Sequence, residues 1–337
     1  MKTMARSWMV AATCMLALGA CADSDNGGAS GAQPSGKHGK DIAFFGFAKA
    51  NSFSAATFEG VREQARKAGG TAEFFDPNFD AQTQVRQLQD ATTSGRFGVF
   101  VIQANDGTAV MGAVRAAVQK GIAVVVQFTP VGPRYDTVQP QVPGTISLVD
   151  VPTENGKRLG RLAIAACGSK KLKPCRVAYL EGMKTLPLDN ARTKAVVETL
   201  KSAPDVRVTA QIEGGYTRDS GRKAMQDLLQ AHPDVNVVIG SSQALFGAQV
   251  VAKNRKNIVY VANGGSRQAV KEVRDGRWFG IPYLAVKTAG AKAAELGLAK
   301  ARGENVPAAT DVSSLAPGAE ATRDVIVSSG IVGEYDE

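Results

Sequence analysis

One β-α-β unit occurs twice in this chain, at residues 71–102 and again at 208–239, and the copies align without a gap. Each supplies a strand, an acidic turn, an aromatic residue (Phe79, Tyr216), an amphipathic helix and an apolar strand ending in Ile102 or Ile239. Duplication of a whole unit, in place of a short period, predicts two similar halves and excludes a solenoid.

The segments around each copy extend the same pattern. Ile42-Ala43-Phe44-Phe45, Thr71 to Phe75, Val99 to Ile102 and Ala123 to Phe128 read as strands. Helices between them run from Phe53 to Ala68, from an Asp80 N-cap to Ser94, and from Thr108 to Lys120. The second series has strands at Arg176–Leu180, Val206–Ile212, Val235–Ile239 and Ile258–Ala262. Its helices lie at Pro152–Cys167, Asp189–Ser202, Thr217–Ala231, Ser242–Lys253 and Ser266–Asp275. Apolar runs of four to six residues separated by helices specify parallel sheets covered on both faces. The predicted class is therefore α/β. A folded part of roughly 300 residues is comfortable for two cores.

The N-terminus sets the address. Lys2 and Arg6 precede a short apolar run, Trp8 to Leu18, and Leu18-Gly19-Ala20 places small residues before Cys21. That is the layout of an export signal, too short to span a bilayer. Leu18–Cys21 resembles the lipobox of bacterial lipoproteins, in which the cysteine is lipidated and becomes the new N-terminus. An ordinary signal cut at another small residue is the alternative, with Cys21 a free thiol. Residues 1–20 are expected to be a lipoprotein signal peptide and 21–40 a Ser/Gly/Ala-rich tether unable to bury a core. The formal charge of +9 falls to +7 once Lys2 and Arg6 leave. With no Lys/Arg cluster interleaved with aromatics, nucleic acid is not an expected partner. Cys167 and Cys175 flank a polar loop, and in an oxidising compartment they are expected to form a disulfide worth about 2–3 kcal/mol. No metal or cofactor is expected, because His38 in the tether and His232 at a helix end sit apart from other ligands.

Ligands in open α/β sheets bind at the carboxyl ends of the strands. Those loops contain no histidine, G-x-S-x-G elbow, phosphate loop or H-E-x-x-H helix. An enzyme is not expected; a carboxylate-dependent hydrolase is the one catalytic alternative, since paired carboxylates need no sequence spacing. The loops carry Asn51, Phe53, Gln103, Asn105, Tyr216, Ser241 and Asn263 instead. Ring faces beside fixed amides and hydroxyls suit a small polar molecule that is bound and released unchanged. Phe53 and Tyr216 could equally be helix-packing core, Asn51 and Asn263 turn formers, and Arg192 a solvated helix charge.

Across residues 40–330 the chain resembles the sugar-type (ribose/galactose-like) periplasmic binding proteins of bacterial ABC importers. The resemblance is carried by Asn51-Ser52-Phe53 with Glu59-Gly60, by Lys120 to Val125, and by Ala231 to Val235. Asn263-Gly264-Gly265 and Asp275-Gly276-Arg277 complete it. It implies a two-lobed type I fold with three hinge crossovers, near Leu148, Leu284 and Asp311–Leu315. Lobe 1 would comprise 41–148 with 285–312, and lobe 2 would comprise 149–284 with 313–330. It implies ligand contacts from Asn51, Phe53, Gln103, Tyr216 and Asn263, with Tyr283 or Leu284 at the hinge. Phe128-Thr129 stands where ribose-type members carry an Asp-Arg pair, Ser241 replaces an asparagine, and Asn190 or Arg192 supplies the second-lobe contact. On a helix those last two point in different directions, so one of them faces the cleft. Losing charged contacts to vicinal hydroxyls makes a less polar, aromatic or deoxygenated solute a live alternative to a common sugar. The resemblance further implies a monomer that delivers its solute to an ABC permease and its ATPase, touching the membrane only through the lipid anchor. A sensory module for a chemoreceptor or histidine kinase is the other non-enzymatic reading. Trp278 reads as core near a hinge.

Overall fold

The computed structural model describes residues 39–337. The lipobox, His38 and the tether up to residue 38 lie outside the described residues. The first half contains β1 (Ile42–Phe45), α1 (Ser52–Lys67), β2 (Ala72–Phe75), α2 (Ala81–Ser94), β3 (Val99–Ile102), α3 (Met111–Gln119), β4 (Ala123–Phe128) and β5 (Ile146–Val149). The second contains α4 (Pro152–Ser169), β6 (Cys175–Glu181), α5 (Pro187–Lys201), β7 (Val206–Glu213), α6 (Arg218–Ala231), β8 (Val237–Ser241), α7 (Ser242–Val251), β9 (Val259–Asn263), α8 (Arg267–Arg274) and β10 (Gly280–Ile281). The chain then forms α9 (Val286–Ala301), β11 (Ala309–Asp311), a 3-10 turn (Val312–Leu315), β12 (Ala321–Thr322) and α10 (Arg323–Ser328).

The strands form two six-stranded sheets, ordered β11-β5-β4-β3-β1-β2 and β12-β10-β9-β8-β6-β7. All pairings are parallel except β10 with β12. The order β4-β3-β1-β2 is repeated as β9-β8-β6-β7, so the duplicated unit occupies the same place in each lobe. The chain passes between lobes three times: after β5 at Asp150–Val151, after β10 at Pro282–Ala285, and between the 3-10 turn and β12.

Continuous burial of β1, β3, β4 and β8 explains their mostly apolar sequences, because helices cover both faces of each sheet. Helix starts follow local capping. Asn51 accepts from the Ser54 N–H, Asp80 from Thr83, and Thr217 forms a capping box with Ser220. Helix α3 starts later than its sequence suggests, since Asp106 Oδ1 captures the Thr108 and Ala109 N–H groups in a turn. Helices α1 and α9 cross closely through two glycines. A Cβ on Gly60 would lie 1.9 Å from the Lys287 carbonyl oxygen, and one on Gly290 would lie 2.0 Å from that of Thr57. Ala-rich α9 thus seals lobe 1 although it follows the second lobe in sequence. Cys167 at the end of α4 is disulfide-bonded to Cys175 at the start of β6. Trp278 is buried against Phe246, ring centroids 4.8 Å apart, in the core of the second lobe. No helix among the described residues is long and apolar enough to cross a membrane.

Candidate functional site

The carboxyl ends of the two sheets face a cleft of ≈ 630 Å³, its mouth included. Lobe 1 lines it with Phe47 after β1, Asn51 and Phe53 at the start of α1, Phe79 before α2, and Phe128 at the end of β4. Phe79 and Phe128 hold left-handed backbone, φ 62° and 65°. Bulky residues rarely adopt it, and such local strain collects at functional sites. The rings meet each other: Phe53 lies 4.6 Å from Phe128, Phe47 lies 6.0 Å from Phe128, and Phe47 is nearly parallel to Phe79 at 6.5 Å.

Lobe 2 contributes Leu186 and Leu188 from the start of α5, Arg192 one turn on, Tyr216 before α6, Gln243 and Asn263. Pro282 and Leu284 of the second crossover and Val286 at the start of α9 complete the wall, with Tyr335 from the C-terminal segment. Phe79 and Tyr216, the matching residues of the duplicated unit, stack across the cleft with centroids 6.3 Å apart and planes 7° apart. Gln243 Nε2 donates to Ser52 Oγ at 3.2 Å, a second tie between lobes. The cleft is closed in this conformation.

A buried ion pair supports the lobe 2 wall. Arg192 Nη1 donates to Asp189 Oδ1 at 2.6 Å, with both side chains almost inaccessible. The Tyr216 hydroxyl donates to the same oxygen at 2.6 Å, and the Met183 N–H donates to Asp189 Oδ2 at 2.8 Å. Burial pushes the Asp189 carboxyl above its ordinary range, opposed by Arg192, Tyr216 and the Met183 N–H. Burial also raises the Tyr216 hydroxyl, and Asp189 raises it further. Behind this wall Arg158 pairs with Asp150 at the first crossover, and Asn155 Nδ2 donates to Asp150 Oδ2 at 2.9 Å and to Asn263 Oδ1 at 3.4 Å.

Of the residues singled out from sequence, Asn51, Phe53, Phe128, Arg192, Tyr216 and Asn263 line the cleft. Five others do not. Gln103 is wholly buried beneath it, accepting from Ser54 Oγ and donating to Gln127 at 2.8 Å and Thr57 at 3.2 Å, which ties β3 to β4 and α1. Asn105 is buried next to it, its backbone N–H donating to Gln84. Asn190 points to solvent and donates to the Lys184 carbonyl, so Arg192 is the one that faces inward. Ser241 caps α7 and donates to the Gly215 carbonyl. Tyr283 turns its hydroxyl to the Val332 carbonyl, leaving Leu284 at the cleft. Sequence reading missed Phe47, Phe79, Gln243 and Tyr335 as wall residues. Phe79 carried a signal, as the counterpart of Tyr216; Phe47 closely follows a strand; Tyr335 carried none.

The cleft wall has no carboxylate, histidine or cysteine side chain. Among the described residues, no group of three His, Cys, Asp or Glu is placed to hold a metal. Its chemistry is apolar contact with ring faces plus a few fixed hydrogen bonds.

Comparison with known proteins agrees with this architecture. A family model described as "Periplasmic binding protein domain" matches residues 42–305. The ribose import binding protein RbsB of Bacillus subtilis (strain 168) is 24% identical over 227 residues, covering 67% of this chain and 70% of that protein. An ABC transporter solute binding protein from Mycobacterium smegmatis, solved with bound glycerol, superimposes with a TM-score of 0.71 at 23% identity, covering 88% of this chain and 99% of that one. A solute binding protein from Bacillus halodurans C-125 with bound myo-inositol gives a TM-score of 0.72 at 14% identity, with coverage of 88% and 99%. At these identities the solved structures establish a shared fold.

Proposed function

We propose, from the premise that the chain belongs to the periplasmic binding protein family, that it captures a small solute between its lobes and delivers it to an ABC import permease. The observation carrying this reading is the closed cleft at the strand ends, where rings from both lobes meet and no catalytic side chain projects. The family implies an exported, periplasmic protein. The finer reading is lipid anchoring through Cys21, with residues 21–40 as a leash that keeps the binder beside its permease and raises its local concentration. The solute is a small ring, a sugar or a less polar sugar-like one, contacted by Asn51, Phe53, Phe128, Arg192, Tyr216 and Asn263. Relatives named for ribose import support the sugar-like class.

The test is to denature the purified mature protein and identify any released solute by mass spectrometry, then return that solute to stripped protein. At 100 times its Kd a ligand stabilises by about 2.7 kcal/mol, a rise in Tm of a few degrees. Recovery of the solute intact after long incubation is expected. No released solute, together with no thermal shift across a panel of sugars, polyols and aromatics, would overturn the binder reading. Replacing Cys21 with Ala should move the protein from the membrane fraction to the soluble one; a wild-type protein already soluble would sink the anchor.

A further inference from the structure

We infer that the cleft selects a neutral ring with apolar faces and an edge of hydrogen-bond acceptors, carbonyl or ether oxygens, in preference to a polyhydroxylated ring. This rests on the solute-binding reading above and names the chemistry of the solute.

The polarity of the wall follows from its amides. Asn51 Oδ1 accepts the Ser54 N–H at 3.0 Å as the cap of α1, which leaves its Nδ2 without a protein partner. Asn263 is oriented from behind. Asp150, ion-paired with Arg158, accepts, so Asn155 turns its Nδ2 towards that carboxylate at 2.9 Å. The second hydrogen of the same Nδ2 goes to Asn263 Oδ1 at 3.4 Å. Asn263 therefore presents Nδ2, a donor, as its free end. Gln243 accepts from Ser242 at 3.4 Å and gives one N–H to Ser52, so what remains is again an N–H. Tyr216 has given its hydrogen to Asp189 and accepts from Arg192 Nη1 at 3.2 Å. Arg192 has donors only, and its buried Nε has no protein partner.

Each amide or phenol oxygen named is already met by a protein donor, while N–H groups remain free. A ring with several hydroxyls brings one donor per hydroxyl to side-chain oxygens that each already hold a protein donor, so those donors compete for the few remaining lone pairs, and a buried unpaired donor is costly. A ring carrying acceptors pairs with free N–H groups and brings no donor of its own. Its faces meet Phe47, Phe53, Phe79, Phe128 and Tyr216. Neutrality follows from the ion pair: Asp189 already compensates Arg192 at 2.6 Å, so a charged solute would enter without a counter-ion.

The experiment is calorimetric titration of the stripped full mature protein with 4-pyrone, which has a carbonyl and a ring ether but no donor, and separately with D-ribose and myo-inositol. Wild-type protein should bind 4-pyrone at least tenfold more tightly than either polyol. Asn263→Asp exchanges the free donor for an acceptor at constant size, and should weaken 4-pyrone at least tenfold while strengthening D-ribose. Asn51→Asp does the same while keeping the helix cap, and serves if the first variant does not fold. Tighter binding of D-ribose or myo-inositol by wild type, or an unchanged order in both variants, overturns the inference. Binding of none of the three probes also overturns it, and leaves solute capture to be judged separately by the released-solute experiment.

Discussion

Replacing Asp189 with Ala should unfold the second lobe at a markedly lower temperature. Asp189 and Arg192 side chains are 2% and 3% exposed, and their contact is 2.6 Å. Removing the carboxylate strands a buried guanidinium, the Tyr216 hydroxyl and the Met183 N–H at once. Breaking a buried pair by deleting one partner costs about 3–5 kcal/mol, because the remaining charge is left without compensation. With an unfolding entropy of about 2.1 cal/mol/K per residue over roughly 300 residues, ~4 kcal/mol corresponds to a fall in Tm of ~6 °C. The partner variant separates charge from packing. Asp189→Asn with Arg192→Met removes both charges at nearly constant volume, and should lose much less than the sum of the single changes. Scanning calorimetry reads both, with Asp136→Ala as the control at an exposed, solvent-screened pair. A Tm for Asp189→Ala within about 2 °C of wild type, or a double variant as unstable as the sum, would refute the reasoning.

Further outcomes follow from burial and close approach. All six tyrosines have hydroxyls raised by burial, with Tyr135, Tyr260 and Tyr283 pushed up to about 12. The folded protein keeps these protons where the unfolded chain releases them, so stability should fall as pH rises from 10 through 12. Phenolate absorbance at 295 nm should appear above the ordinary tyrosine range; a step of even one tyrosine near pH 10 in folded protein contradicts this. Gly60→Ala drives a methyl into the Lys287 carbonyl and should cost about 3 kcal/mol, whereas Gly112→Ala meets nothing within 4 Å and should gain about 0.5–1 kcal/mol in denaturant melts. Equal effects at the two sites would show that the α1–α9 crossing relaxes freely. Substituting Ser for both Cys167 and Cys175 should cost about 2–3 kcal/mol in the same melts, and no loss would mean the short loop is already ordered without the bond.

Much of this molecule was legible before folding. Apolar runs such as Val99–Ile102 and the β-α-β duplication specify two parallel sheets, because strand burial on both faces leaves a local, periodic trace. The same periodicity names the loops at the strand ends and matches Phe79 with Tyr216, which meet across the cleft. Which way a polar side chain turns has no such trace. Gln103 directly follows β3 and Asn263 ends β9, yet one is spent binding Ser54, Thr57 and Gln127 inside lobe 1 while the other reaches the cleft. The difference lies in partners far away in sequence. Tyr335 is more remote still: Thr288 donates to Glu334 and Arg267 pairs with Asp336, and these ties hold the segment that carries the ring to the wall. Sequence alone determined the sheets, the repeat and the strand-end loops, since those depend on neighbours within a few residues. Only tertiary structure decided which side chains face the cleft and with which polarity, because each orientation is set by hydrogen bonds and contacts closed across long loops.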